Sequence, residues 1–510
     1  MNNDFNIIWL RNDLRLHDNP AFELANQSGL PISVVFIVPE FWLDADASTP
    51  FSYPESYLNT SGLVRISKPK ARFLRASLID LQRQLYRQNI QLQMVYGDPV
   101  SLFAQWQQQG LQQVFTQQAQ APEENYWLNA IRQQGTDLTT YNNQTLFSEA
   151  QLQDAGLSLT AGQWPDSFSG FRRRVEKHLN ADLIKANPPV ALTVDDYDLQ
   201  DHDLQGHALQ NRSSQRYPSV PWPTDFSGQN DHLPSSRFNL PGGEDNGLAR
   251  LSAYIWQYDG LNRYKTTRNQ LTGQNFSSFF SAYLAWGCLS AKRVLQEIRY
   301  FEHELQANEH SQWLYFELLW REYFHWSMRI HGREYFRYSG LAQHNHFQPA
   351  PINPQHWQAW NNATTGVPMI DAGLKELIHS GYCSNRMRQN LASYFIHELQ
   401  LDWRLGAQFF EQHLIDFDVA INWGNWAYLA GVGNDPQHHP DSAQKTPGGQ
   451  AQGRWFSMNK QLQQYDPQLH HIHQWLPELS GQDLAQVQAH SCGQQTLAHY
   501  PAPVMPVAIS

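Results

Sequence analysis

Five short apolar runs open the chain: NIIWL (6–10), ISVVFIV (32–38), LQMVY (92–96), QVFT (113–116) and DLTTY (137–141). They alternate with stretches of helical periodicity over Lys70–Gln88 and Glu123–Gln134. Parallel strands need a crossover, and a helix supplies it. The rhythm therefore restricts residues 1–145 to an α/β domain, a Rossmann-like parallel five-stranded sheet with helices on both faces. Such sheets bind ligands beyond the carboxyl ends of their strands, where RNDLRLHDNP (11–20) follows the first one. No glycine-rich phosphate fingerprint is present, so nothing requires a dinucleotide at that position.

Residues 146–240 change character. The stretch NPPVALTVDDYDLQDHDLQGHALQNRSSQRYPSVPWPTD is rich in Pro, Asp, Gln and Ser with little periodicity, and reads as a long linker over the surface. From GGEDNGLARLSAYIW (242–256) onward the pattern is helical, which predicts an all-α second domain over 241–480 and a short tail over 481–510. Within it, Asp371–His379 is closed by Gly381, Ser384 can cap a helix starting at Asn385, and Gly366 and Pro368 mark a break. The stretch 436–453 (PQHHPDSAQKTPGGQAQG) is a polar loop by composition.

With 41% hydrophobic and 16% charged residues the chain is a folded protein, not a disordered one. Its opening, MNNDFNIIWLRNDLRL, is neither a signal peptide nor an anchor, and no apolar run is long enough to cross a bilayer. Three cysteines, Cys288, Cys383 and Cys492, are odd in number and far apart, which argues against a disulfide framework or a zinc site. A cytoplasmic protein with no metal site and no membrane partner is expected. The net charge of −11 opposes a polyanionic partner, yet residues 241–400 carry 14 Lys/Arg against 13 Asp/Glu, which leaves room for a locally basic groove.

Four segments carry unusual chemistry. DFDVAINWGNWAY (416–428) places two carboxylates, two asparagines and two tryptophans in a stretch that otherwise reads as core. In WLYFELLWREYF, Glu317 lies among apolar residues with Arg321 four positions on; it is either an ordinary helix pair or a neutral acid raised by an apolar pocket. In SNRMRQNLAS, Arg388 can pair with Asp416 or Asp418, as a structural bridge or as part of a polar ligand site. In QNFSSFFSAYLAWGCLS, Ser277, Ser278 and Ser281 lead a helix, where hydroxyls and free amides serve either as caps or as a phosphate site.

Together with YKTTRNQ, GYCSNRMRQNLAS, DWRLGAQFFE and LIDFDVAINWGNWAYLAGVGNDP, these segments resemble the photolyase/cryptochrome family, most closely its DASH branch, over residues 5–150 and 240–480. The resemblance implies an α/β antenna domain, an all-α FAD-binding domain and blue-light chemistry. It implies that Tyr264, Ser277, Ser278, Phe280 and Ser281 hold the FAD phosphates and ribityl, and that Glu317, Arg321, Arg388, Asp416, Asp418 and Asn422 face the flavin. It further implies that Glu317, Trp320, Asn385, Gln389 and Tyr428 form a lesion pocket, with Asn422 beside the flavin nitrogen that exchanges a proton. Glu124, in APEENYW, falls where relatives bind a folate antenna, methenyltetrahydrofolate; a solvated surface glutamate is the alternative.

The implied activity is light-driven repair of cyclobutane pyrimidine dimers by a monomer, preferentially in single-stranded DNA. The histidine pair needed by the six-four branch is missing near SNRMRQ. The alternatives are a photoreceptor that repairs nothing, against which the few residues after WLPEL count, and a dark flavin oxidoreductase, for which no nicotinamide site is evident. Three departures stand out. Phe279 replaces a cation beside the flavin phosphates. Trp426 and Trp403 match the inner members of an electron-transfer chain whose outer position falls on Ala350, leaving Trp357, Trp360 and Phe347 as substitutes. The loop 436–453 is longer than usual.

Overall fold

The computed structural model describes residues 4–44, 65–190, 240–273, 275–341, 351–434 and 453–508. All five expected strands form: β1 (Phe5–Leu10), β2 (Ile32–Val38), β3 (Leu92–Tyr96), β4 (Leu111–Gln117) and β5 (Asp137–Tyr141). They pair in parallel in the order β3-β2-β1-β4-β5, with Ile8 opposite Val34 on one side and Phe115 on the other. β1 is buried along its whole length because both faces are covered, and this explains a continuous apolar run instead of an alternating one. The covering helices include α1 (Pro20–Asn26), α2 (Lys68–Tyr86), α3 (Pro99–Gln108) and α4 (Pro122–Gln133), each with proline in its first turn.

The stretch read as a linker holds secondary structure where it is described. A short helix, Glu149–Asp154, and α5 (Phe168–His178) precede residues 191–239, which lie outside the described residues together with Phe347, Ala350 and the loop 436–452. Its apolar residues are few but spaced for one face: Phe168, Phe171 and Val175 are buried. Composition alone hides so narrow a stripe.

The remainder is helical. The elements that matter here are α6 (Glu244–Ser252), α7 (Phe280–Ala285), α8 (Glu309–His331), α9 (Asn385–Ser393), α10 (Trp403–His413) and α11 (Val419–Leu429). Ser384 caps α9 as expected, its hydroxyl accepting from Met387 N at 3.1 Å, and Gly381 ends the preceding helix at φ 74°. The stretch expected as a tail packs back: Leu484–Ser491 is helical, Val487 and Val507 are buried, and Val504 N donates to Thr365 O at 2.9 Å.

One apolar core runs from the sheet, through α2, into α6 and α8. Buried charges stitch the same seam. Arg15, 1% exposed, donates to the carbonyls of His17, Asp18, Asn143 and, across the seam, Gly287. Glu244 reaches from α6 to accept from Leu16 N (2.7 Å), His17 N (3.1 Å) and the His17 ring (2.5 Å). Glu322 of α8 accepts from Leu146 N and Phe147 N at 2.8 and 3.1 Å. RNDLRLHDNP is therefore mostly a clamp between the layers, and Arg11 and Asn12 turn toward a cavity beyond the strands. Gly287 has φ 67°, and a Cβ there would collide with Asn12 O, so this contact requires glycine.

Removing one partner from a buried ionic network typically costs about 3–5 kcal/mol. Glu244→Ala is accordingly expected to lower the thermal midpoint by several degrees in a melting experiment; an unchanged midpoint would show that the clamp contributes nothing.

Candidate functional site

A cavity of about 370 Å³ opens among α7, α8, α9, α11 and the segment 453–456. This lies within the roughly 300–1,000 Å³ usual for small-molecule sites. Its wall gathers most of the residues singled out from sequence: Tyr264, Ser277, Ser278, Phe280 and Ser281 at one end, and Glu317, Trp320, Arg321, Asn385, Arg388, Gln389, Asp416, Asp418 and Tyr428 around the rest. Helical spacing explains the grouping. Glu317, Trp320 and Arg321 occupy one face of α8; Asn385, Arg388 and Gln389 one face of α9.

Two carboxylates form the polar floor. Asp416 accepts from Arg388 Nη2 at 2.8 Å, while Arg388 Nε donates to Cys383 O at 2.9 Å. Burial disfavours the Arg388 charge, but Asp416, Cys383 and Tyr382 outweigh it and raise its pKa. The other Asp416 oxygen, Oδ1, is buried with no hydrogen-bond partner among the described residues. Asp418 caps α11, accepting from Ala420 N and Ile421 N at 3.0 and 3.1 Å, and takes a 2.8 Å bond with the buried His325 ring. Burial pushes the Asp418 carboxyl up, and His325, Arg321 and the helix amides overcome it, holding its pKa near 2. An orphaned acceptor beside a guanidinium suits a flat heterocycle edged with N–H and carbonyl groups, so the donor set fits an isoalloxazine.

Three expectations change. Asn422 is not among the residues lining the cavity; it is buried behind Asp418 and donates its amide to Ala407 O at 2.9 Å. Glu317 is not enclosed in an apolar pocket, its side chain being 29% exposed, and it is not the partner of Arg321. It forms an ion pair with Arg268 and accepts from Trp313 Nε1 at 3.1 Å, because the loop bearing Arg268 packs over this turn of α8. Arg321 instead donates to Gln144 O at 2.5 Å, across the seam.

Several wall residues escaped the sequence reading. Arg268, Asn425, Arg454 and Phe456 line the cavity, and Phe168 stacks on Trp320 with ring centroids 3.9 Å apart and planes 12° from parallel. Arg268 and Asn425 sit inside segments already singled out; Phe168 lay in the stretch read as linker, and Arg454 directly follows the loop 436–453. Cations cover rings around the mouth: Arg454 over Tyr428 at 4.3 Å, Arg268 over Trp313 at 5.2 Å and Arg172 over Phe316 at 5.2 Å. Arg250 fixes the serine loop from behind, donating to Ser277 O, Ser278 O and Asn275 Oδ1. Phe279, where a cation was missed, has φ 58° and precedes α7.

Behind the wall lie the aromatic relay candidates. Trp426 and Trp403 are both buried, and Gly406, one turn on from Trp403, lets α10 approach the Trp426 ring. Trp403 contacts Trp423 at 5.8 Å; Trp426 contacts Phe395 at 5.6 Å, which in turn meets Trp360 at 4.7 Å and Trp357 at 6.4 Å.

A second, smaller cavity, of about 120 Å³, sits at the carboxyl ends of the strands. Aromatic rings dominate it, among them Trp9, Trp42, Trp127, Trp286 and Phe417, with Arg11, Arg65 and Lys70. Glu124 lines it too, but is no solvated surface residue: it caps α4, accepting from Gln120 N at 2.6 Å, and lies 3.6 Å from Arg11. The two cavities share a partition. Asp416 and Asp418 face the first, Phe417 and Val419 the second.

Comparison with known proteins agrees with this architecture. Residues 6–191 match the DNA photolyase family and 313–509 the FAD-binding domain of DNA photolyase. A cryptochrome DASH from Synechocystis sp. is 33% identical over 481 residues, 93% of this chain and 87% of that protein. The chain belongs to the cryptochrome DASH family. A second cryptochrome DASH, from Idiomarina loihiensis, is 33% identical over 485 residues, 94% of each chain. The solved Synechocystis cryptochrome superposes with a TM-score of 0.77 at 30% identity, covering 98% of this chain and 96% of that one. Like the family, the chain carries an FAD-binding domain. Among the described residues no helix is long and apolar enough to cross a membrane.

The segment carrying Arg454 and Phe456 is anchored by a titratable group. Trp455 Nε1 donates to Glu398 Oε1 at 2.7 Å, while Glu398 Oε2 is buried without a partner among the described residues. Burial raises the Glu398 pKa from 4.5 to about 7. A raised carboxyl contributes stability that is intact below about 4.5 and is lost as pH rises to and through 7, a total of about 3 kcal/mol. Melting curves from pH 5 to 8 should therefore show the wild type losing stability relative to Glu398→Gln; parallel curves would contradict the assignment.

Proposed function

We propose that this protein is an FAD-dependent, blue-light-driven lyase that repairs cyclobutane pyrimidine dimers, preferentially in single-stranded DNA. One observation carries the reading: a single cavity combines a floor of paired charges suited to a flavin with a mouth of aromatic rings covered by guanidinium groups. When bound, reduced FAD supplies the light-driven electron that opens the cyclobutane ring and is afterwards recovered.

The chain's own residues do the rest. Ser277, Ser278 and Ser281 offer hydroxyls to the phosphates and ribityl, with Tyr264 and Phe280 beside them. Arg388, Asp416 and Asp418 orient the flavin edge, and Arg321 and Asn422 support that wall. Trp320 and Tyr428, 71° apart in plane at 6.1 Å, give two faces of an L-shaped slot for an extruded base. Asn385, Gln389 and Glu317 supply donors and acceptors for base edges. Stacking platforms accept unpaired bases without sequence preference, and a strand that is already single needs no extraction energy, which supports the single-stranded preference. Trp426 and Trp403 serve as electron donors to the flavin from within the core.

For the second cavity we infer a methenyltetrahydrofolate antenna. Its aromatic walls suit a pterin and its benzoyl ring, its cations suit glutamate carboxylates, and Glu124 is placed for a ring N–H. A photoreceptor without repair is the second reading, favoured by the name cryptochrome shared by the relatives.

The pure, reduced and illuminated protein is expected to restore ultraviolet-damaged oligothymidine. Trp320→Ala should weaken binding of the damaged strand by about 5- to 150-fold, the equivalent of 1–3 kcal/mol of stacking. Intact dimers under a fully reduced flavin would leave the photoreceptor reading standing. In a separate test, Trp403→Phe should slow photoreduction of the bound flavin in a stopped illumination trace; an unaltered rate would remove Trp403 from the relay.

A further inference from the structure

The helix α5 comes from the stretch that composition marks as linker, yet it docks against the cavity wall. Phe168 lies on Trp320 at 3.9 Å and meets Phe316 edge-on at 5.1 Å, and Phe171 packs on Tyr323 at 5.5 Å. Both Trp320 and Phe316 line the cavity. The apolar stripe Phe168, Phe171 and Val175 thus faces inward, and the opposite face of FSGFRRRVEKH carries four cations against one acid. In a chain of net charge −11 this is a local reversal of sign.

The cations are not equivalent. Arg172 covers the Phe316 ring at 5.2 Å while pairing with Glu176 at 3.3 Å, and Arg174 is tied to Gly156 O at 2.9 Å. Arg173 and Lys177, one turn apart, are exposed and have no acidic partner among the described residues; Arg173 touches only Ser169 O, at 3.3 Å. A charge run on a helix is ordinarily a solvated face. This one starts beside a ring that backs the cavity and runs for about 16 Å, given the 1.5 Å rise per residue of an 11-residue helix. Its near end, Arg172, belongs to the same set of ring-covering cations as Arg268 and Arg454.

We propose that α5 carries the DNA strand away from the cavity mouth, Arg173 and Lys177 neutralising backbone phosphates of nucleotides next to the one held against Trp320. This rests on the reading of the cavity as a nucleic-acid site and adds the path of the flanking strand. Phe168 is then a positioning residue: by packing on Trp320 it pins the basic helix beside the cavity wall.

The test is the salt dependence of oligothymidine binding to the FAD-loaded protein, measured by fluorescence anisotropy. Each phosphate contact on a single strand contributes about 0.7 to the slope of log K against log salt. Arg173→Ala with Lys177→Ala is expected to lower the slope by about 1.4 and to weaken binding about 25-fold at 0.1 M salt, with flavin absorbance per protein unchanged. The charge-preserving pair Arg173→Lys with Lys177→Arg should retain wild-type binding. If the wild type binds and the alanine variant matches it in affinity and slope, α5 is not on the strand's path, although the cavity reading survives. If the wild type binds no oligothymidine, the cavity reading falls and this inference with it.

Discussion

A guanidinium with almost no access to water, Arg15, donates to four backbone carbonyls, one of them across the seam between the sheet and the helices. Burying such a charge is tolerable only when its donors are satisfied, so the carbonyls must stay where they are. Glu244 and Glu322 impose the same requirement in the opposite sense, accepting amides of irregular segments. Ionic groups that recognise main chain set the relative placement of the layers more strictly than apolar packing, which tolerates sliding. Both cavities lie against this seam, and their shapes depend on it.

The helical cavity uses charge in a second way. Arg388 with Asp416 is a balanced pair in surroundings with little water, whereas Asp418 bonds an imidazole whose pKa burial lowers. Such pairs stabilise a fold weakly compared with apolar side chains of equal volume. Their value lies in what they leave over: a carboxylate oxygen without a partner beside a firmly charged arginine is a ready-made contact for a polar heterocycle. At the mouth the balance tips toward cations lying on rings, a combination that attracts a polyanion and stacks its bases.

The strands and their parallel pairing were readable from periodicity, while the grouping of α8, α9 and α11 residues around one cavity was implied by the resemblance of their motifs to the photolyase/cryptochrome family. What remained hidden depends on side-chain direction over long separations. Glu317 and Arg321 stand four apart on one helix, yet each prefers a partner from another segment, Arg268 for the one and Gln144 for the other. Asn422 lies in a segment marked as functional, and its amide is spent on Ala407. Phe168 sat in a stretch whose composition suggests solvent-exposed coil, where a single docked ring leaves no periodic trace. Glu124 was recognised, although its capping role emerges only from the turn that opens α4.

Between the two cavities stands a strand of chain four residues long, with side chains pointing alternately to either side. Such a wall has no interior of its own. Enlarging Phe417 displaces the carboxylates that flank it, and reorienting either aspartate shifts the ring between them, so neither compartment can be remodelled in isolation. Adaptation of one chamber to a new occupant is therefore constrained by the fit of the other, and compensating changes should arise in pairs across this thin divide.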